Sequence, residues 1–195
     1  MANSSSFFWY LALLAGVAVL RIIELWFSTR HQNRLFAEGA TKVHEPLYPL
    51  MVGVHVSLLV ASPVEVWIWR RPFLPWLGWP MLALLGCCLV GRVWVWQSLG
   101  EQWNVRVVKS RLPIVNSGPY RYVRHPNYTI VTVEMFALPL VHSAYLTALT
   151  CSIVNVFVLW QRIRYEEAAL FAHPEYAVKM GAKPRFLPAF GVKKS

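Results

Sequence analysis

Charge is scarce in this chain. Only 14% of its 195 residues are Asp, Glu, Lys or Arg, where soluble domains carry about 25%. With 56% hydrophobic residues and a mean hydropathy of +0.42, that deficit excludes an ordinary water-soluble domain and points to a polytopic membrane protein. Cysteine is scarce too. Cys87, Cys88 and Cys151 all fall in apolar runs, giving neither a disulfide framework nor a metal-ligand spacing, and they read as small apolar packing residues. There is no internal repeat and no low-complexity tract. A basic region before the first apolar stretch is also missing, and that stretch exceeds a signal-peptide core, so it reads as a retained first helix. The length suits a single unit, 1–195, with no separate soluble domain.

The charge that is present is one-sided, with a net of +10. A basic chain suggests nucleic acid, but here the basic residues lie between apolar runs. The positive-inside rule accounts for them without a nucleic-acid partner. Five spans of bilayer-crossing length can be drawn, at about 7–28, 47–69, 74–98, 126–143 and 144–172. Arg21 and Glu24 end the first at i,i+3 spacing, placed to pair or snorkel. Arg70-Arg71-Pro72 closes the second. Pro126 suits the first turn of the fourth, which Pro139 is expected to kink. Arg30, Arg34, Lys42, Arg106, Lys109, Arg111, Arg121, Arg124, Arg162, Arg164, Lys179, Lys183, Arg185, Lys193 and Lys194 fall on one side, Arg70 and Arg71 on the other. The N-terminus is thus expected outside, with the C-terminus and the long 99–125 segment in the cytosol. The expected fold is an all-α polytopic bundle of about five transmembrane helices.

Polar residues concentrate at two places. Gly118-Pro119-Tyr120-Arg121-Tyr122-Val123-Arg124-His125-Pro126-Asn127-Tyr128 forms the mouth of the fourth span. Asn116-Ser117-Gly118-Pro119 is a turn signal. His125, before a proline, is biased to extended geometry, and the helix that follows opens with free backbone N–H groups suited to a carboxylate. Interfacial anchoring explains single tyrosines or arginines there, but not the whole order. The second place is Arg162-Ile163-Arg164-Tyr165-Glu166-Glu167. Arg162 and Glu166 share a helix face, with Asn155 two turns earlier. Glu134 lies mid-span in the fourth helix, on the face of Asn127, and an intramembrane carboxylate suggests function. His142 reads as an interfacial histidine, His55 and Glu65 as separate features of the second span, and Glu45 and Tyr48 as flanking residues of an acceptor entrance.

Together, the Gly-x-Tyr turn at 118–120, the Arg-His-Pro-x-Tyr run at 124–128 and the Arg-x-x-x-Glu-Glu helix at 162–167 resemble the isoprenylcysteine carboxyl methyltransferase family, over about 99–188. The resemblance implies a helical bundle binding S-adenosyl-L-methionine at its cytosolic end. It implies cofactor contacts from Tyr120, His125, Pro126, Asn127, Tyr128 and Glu166. Lys109 and the backbone of Leu112, Pro113, Ile114 and Val115 would add to them. It places Arg162 against the acceptor, with Asn155 on the same stripe. The tail departs from the family pattern. Tyr176 is followed by Lys179, and His173-Pro174 stand where the family has glycine. The runs 45–51, 104–107 and 137–142 look like a bacterial branch associated with type III polyketide synthases, whose members O-methylate phenolic lipids.

Methyl transfer from a sulfonium is an in-line displacement. Positioning two reactants about 3–3.5 Å apart supplies about 7–11 kcal/mol of such a barrier. A carboxylate acceptor needs no base, and Arg162 could grip it bidentately. A phenol or enol needs one, with Glu134 the candidate. The expected partners are membrane lipids and a lipophilic or prenylated acceptor methylated on carboxyl or hydroxyl oxygen. Phospholipid N-methylation, thiol S-methylation and a sterol-reductase-like nicotinamide oxidoreductase are the alternatives, the chain being short for the last.

Overall fold

The computed structural model describes residues 4–109 and 112–188. Arg111, Lys193 and Lys194 of the charge pattern lie outside the described residues. Five helices make the bundle: α1 (Ser4–Ala37), α2 (Tyr48–Ile68), α3 (Pro75–Leu99), α4 (Pro126–Leu140) and α5 (Tyr145–Leu170). A short α6 (Tyr176–Met180) follows. Among the described residues the only strands are β1 (Thr41–Lys42) and β2 (Val108–Lys109), paired antiparallel. The fold is all-α, and four helices, α1, α2, α3 and α5, are long and apolar enough to cross a membrane.

The fourth expected span differs. α4 has 15 residues, which at 1.5 Å per residue reaches about 22 Å, short of a hydrocarbon core of about 30 Å. Pro139 is its penultimate residue, so it ends the helix rather than kinking it. Ser143 turns the chain at φ 59°. α4 packs between α3 and α5, and α2 packs on α5. Met135, Ala137, Leu138 and Leu140 are accordingly buried. Large apolar residues on α1, α2 and α3, among them Trp9, Trp26, Trp67 and Trp76, face outward, as lipid contact requires.

His142 does not face outward. It is fully buried, bonded to Ser6 Oγ at 3.2 Å and ringed by Phe7, Tyr10 and Phe73. His55 and Glu65 are separate, as expected. Glu65 accepts from the backbone N–H groups of Leu146 and Thr147 and from the Thr147 hydroxyl, at 2.7–3.1 Å. It thereby satisfies N–H groups that the first turn of α5 leaves free. Cys88 and Cys151 are buried and Cys87 is exposed.

Candidate functional site

The polar run folds into a compact cradle. Ser117 is extended and Gly118 to Arg121 form a single 3-10 turn. Gly118 sits at φ 56°, and a Cβ there would lie 2.0 Å from Ser98 Oγ on α3. Only glycine fits both the conformation and the contact. His125 caps α4 at φ −127° with Pro126 as the first helical residue, as its position before a proline favours.

The tail straps this cradle. The N–H groups of Arg124 and His125 donate to the carbonyls of Pro184 and Arg185 at 3.0 and 2.9 Å. Lys183 Nζ donates to the Tyr120 carbonyl at 2.6 Å and to Asn116 Oδ1, and burial lowers its pKa. Glu167 gathers the parts. It accepts from His125 Nε2 at 3.1 Å and from Arg185 at 2.6 Å, and it stands 3.2 Å from Arg124. Its charge holds the Arg185 guanidinium above its ordinary pKa. Glu167→Gln should therefore loosen the strap, with trypsin cleavage after Arg185 faster by about tenfold, as local opening becomes easier. An unchanged cleavage rate would contradict this.

Arg162 and Glu166 do not pair directly. Tyr128 joins them: its hydroxyl donates to Glu166 and accepts from Arg162 Nε at 2.9 Å. The remaining guanidinium nitrogens reach Met51 Sδ at 2.8 Å and the Val105 carbonyl, with Glu45 at 3.4 Å. The two halves of the motif thus meet through one phenol, and α2 and the 103–107 loop meet at the same arginine.

Apart from Glu45, these groups line one cavity of about 1060 Å³, the upper end of the range for small-molecule sites, about 300–1,000 Å³. Of the expected cofactor residues, Lys109, Leu112, Ile114 and Val115 line it. So do Tyr120, His125, Asn127, Tyr128 and Glu166, with Arg162 beside them. Pro113 and Pro126 do not; the first bonds Gln102 through its carbonyl and the second starts α4. Asn155 does not either. It is 1% exposed within the helix packing, because α5 borders the cavity only from Leu159 onward. Glu134 also stands outside the lining set. Its carboxylate is held by Arg21 at 2.7 Å and by Arg92, so it is no free base.

The sequence pattern gave Arg92 and Met51 no role, and it named His55 and Tyr176 without placing them in the site; all four line the cavity. Arg92 carried a usable signal, a lone arginine inside the third apolar span. Tyr120 and Tyr176 are cavity hydroxyls whose pKa values burial and the nearby Glu166 push far above the ordinary phenol. Both therefore remain neutral donors. Cavity-lining Tyr176, Asn127 and Asn104 each carry a buried polar atom with no hydrogen-bond partner among the described residues, whereas buried polar atoms are normally bonded.

Comparison with known proteins agrees with this construction. The family model described as "Isoprenylcysteine carboxyl methyltransferase (ICMT) family" matches residues 81–172, from α3 to just past α5. The Bacillus subtilis (strain 168) protein YpbQ, described as uncharacterized, is 33% identical over 174 residues, 88% of this chain and 99% of that protein. An uncharacterized protein of Haemophilus influenzae is 29% identical over 160 residues, covering 80% of this chain and 91% of its own length. With the motif halves joined at Tyr128 and a relative matched along nearly its whole length, the chain belongs to the isoprenylcysteine carboxyl methyltransferase family and is a membrane methyltransferase.

Proposed function

We propose that the protein transfers the methyl group of S-adenosyl-L-methionine to an oxygen of a lipophilic acceptor. The observation that carries this reading is the continuity of the cavity. One end is the cradle of Tyr120, Asn127, Tyr128 and Glu166; the other runs between α1 and α2, where apolar side chains stand beside Arg21, Glu24 and His55. Ile22, Leu25, Val52 and Val56 line the cavity and are exposed. That gap between α1 and α2 is a lateral door of the kind a lipid-soluble acceptor needs, while a polar donor reaches the cradle from water.

The cradle residues suit the donor. A sulfonium and an ammonium favour a nearby carboxylate, which Glu166 supplies. The unbonded Asn127 Oδ1 and Tyr176 hydroxyl suit polar groups of the donor, and Leu112, Ile114 and Val115 suit a flat apolar ring. When bound, S-adenosylmethionine supplies an electrophilic methyl on sulfur. The chain's own contribution is positional. Arg162 and Tyr128 hold Glu166 in place, and the buried walls keep water from the reacting atoms, so that the acceptor oxygen meets the methyl in line.

In the membrane the N-terminus would lie outside, with the cradle and C-terminus in the cytosol, by the positive-inside rule. The partners would be membrane lipids and the acceptor, with no role for nucleic acid. Titration of the purified protein with S-adenosylhomocysteine and, separately, with NADPH tests the reading. We expect saturable binding of the first and none of the second. Binding of NADPH alone would favour the reductase alternative and overturn the methyltransfer chemistry proposed here.

A further inference from the structure

Arg162 stands between two carboxylates. On its cavity side the Tyr128 hydroxyl relays it to Glu166. On its far side is Glu45, whose Oε2 lies 3.4 Å from Arg162 Nη2. Glu45 does not line the large cavity. With Leu47, Val158, Gln161 and Arg162 it borders a recess of about 10 Å³, room for one water at most. Its side chain is only 5% exposed, so Glu45 is out of reach of a ligand in the cavity. Backbone fixes its place. Pro46 biases Glu45 to extended geometry. Glu45 Oε1 accepts from the Val107 N–H at 2.9 Å, and the Val107 carbonyl accepts from the Val43 N–H at 3.2 Å, which continues the β1–β2 pairing. Glu45 Oε2 has no hydrogen-bond partner among the described residues. Toward Arg162 it therefore acts through charge.

The other charges that line the cavity set what this charge does. Arg21 and Arg92 pair with Glu24 and Glu134 in one neutral cluster. Arg124 stands against Glu167, and Glu175 bonds Lys179. Arg106 and Lys109 line the cavity with no carboxylate beside them among the described residues, Arg106 lying over the Tyr48 ring at 3.7 Å. Both oppose a cation in the cavity. The brace of Arg162, Tyr128 and Glu166 differs. Counted with Glu45 it holds two anions and one cation, and it is the one place among these described groups where negative charge exceeds positive. Without Glu45, Arg162 and Glu166 would cancel.

We propose that Glu45 is a positioning residue for charge: acting through Arg162, it keeps the brace anionic, so that the site holds a sulfonium more tightly than the thioether left after transfer. This rests on the methyltransferase reading above. The donor carries a positive charge on sulfur and the product does not, while the rest of the two molecules is alike apart from the methyl group. A site that is anionic at Glu166 therefore favours the donor and loosens its hold once the methyl has left. A site in which Arg162 neutralises Glu166 has no such preference. Two unit charges about 10 Å apart in a protein site change an equilibrium by about tenfold or somewhat more, so a carboxylate behind Arg162 is close enough to matter without touching the ligand.

Glu45→Gln tests the proposal, since its amide oxygen still accepts from the Val107 N–H while the charge is gone. The full-length protein in detergent, without acceptor, is titrated with S-adenosylmethionine, with S-adenosylhomocysteine, and with sinefungin, which carries an amine where the donor has its S-methyl. Glu45→Gln should weaken the two cationic ligands by about tenfold and leave S-adenosylhomocysteine as in the wild type. Its melting temperature should stay close to wild type, because Arg162 keeps Tyr128 and the Val105 carbonyl. Glu45→Asp, which retains the charge on a shorter arm, should keep the wild-type ratio of donor to product affinity even where both affinities fall. Glu101→Gln, which removes a carboxylate from the exposed pair with Arg34, should leave all three affinities unchanged. Equal weakening of all three ligands in Glu45→Gln, no weakening of any, loss of its fold, or a ratio shift of the same size in Glu45→Asp would each overturn the role of Glu45 and leave the methyltransferase reading standing. Absence of S-adenosylhomocysteine binding in the wild type would overturn both.

Discussion

Arg162→Lys should leave the protein folded and slow methyl transfer by about 100-fold. Lysine keeps a cation opposite Glu45, so the ion pair across α2 and α5 survives. It cannot span Tyr128, Val105 and Met51 at once, because a single ammonium lacks the fixed fork of the guanidinium. Tyr128 and Glu166 would then lose their shared brace. A misplacement of about 1 Å at such a site costs about 100-fold in rate. The loss should appear mainly in kcat, with S-adenosylhomocysteine affinity reduced only modestly and the melting temperature within a few degrees of wild type. Arg162→Ala should lose the same activity and also stability, by about 3–5 kcal/mol, because it leaves the Glu45 carboxylate buried without its partner. Near-wild-type turnover of the lysine variant would show that the Arg162–Tyr128–Glu166 brace does not govern the reaction.

The second large effect is on stability. Glu134 is the anion that receives Arg21 and Arg92 from two other helices. Its removal leaves the cluster with two cations and one anion inside apolar helices. An unpaired charge there costs about 2.5–3.5 kcal/mol by insertion scales, and breaking one side of a buried pair costs about 3–5 kcal/mol. Glu134→Ala should therefore lower the thermal midpoint in detergent sharply. Arg92→Met combined with Glu134→Leu should recover most of the loss, since one cation and one anion leave together and Arg21 keeps Glu24. Equal melting of the single and double variants would show that the cluster does not hold α1, α3 and α4 together.

Much of this protein is legible locally. The ends of α2, α3 and α5 follow from apolar runs and prolines, and the structure places them within a few residues of the expected bounds. The positive φ of Gly118 and the His125-Pro126 start of α4 follow from local backbone chemistry, while the close approach of Ser98 to Gly118 comes from the packing of α3. α4 itself is less legible. Its apolar composition continues to Ser143, so composition alone extends it to a full span, whereas Pro139 and the positive φ of Ser143 end it at Leu140. Asn155 fell on the correct stripe of α5 but at a level where neighbouring helices have closed the cavity. Helical periodicity gives the face of a residue, not what fills the space in front of it.

The sequence by itself determined the class of molecule, the run of helices, the two polar motifs and the family to which they point. All of these depend on residues close in the chain, where spacing translates directly into geometry. Only the tertiary structure decided how the motifs combine. Tyr128 bridges Arg162 and Glu166 across 34 positions, Glu167 ties the tail to the cradle, and Glu134 joins an arginine 113 residues away. It also decided that His55 lines the same cavity as Tyr120 and Glu166. Such pairings follow from how whole helices pack, and helix packing is set by surfaces assembled from the entire chain rather than by any stretch of it.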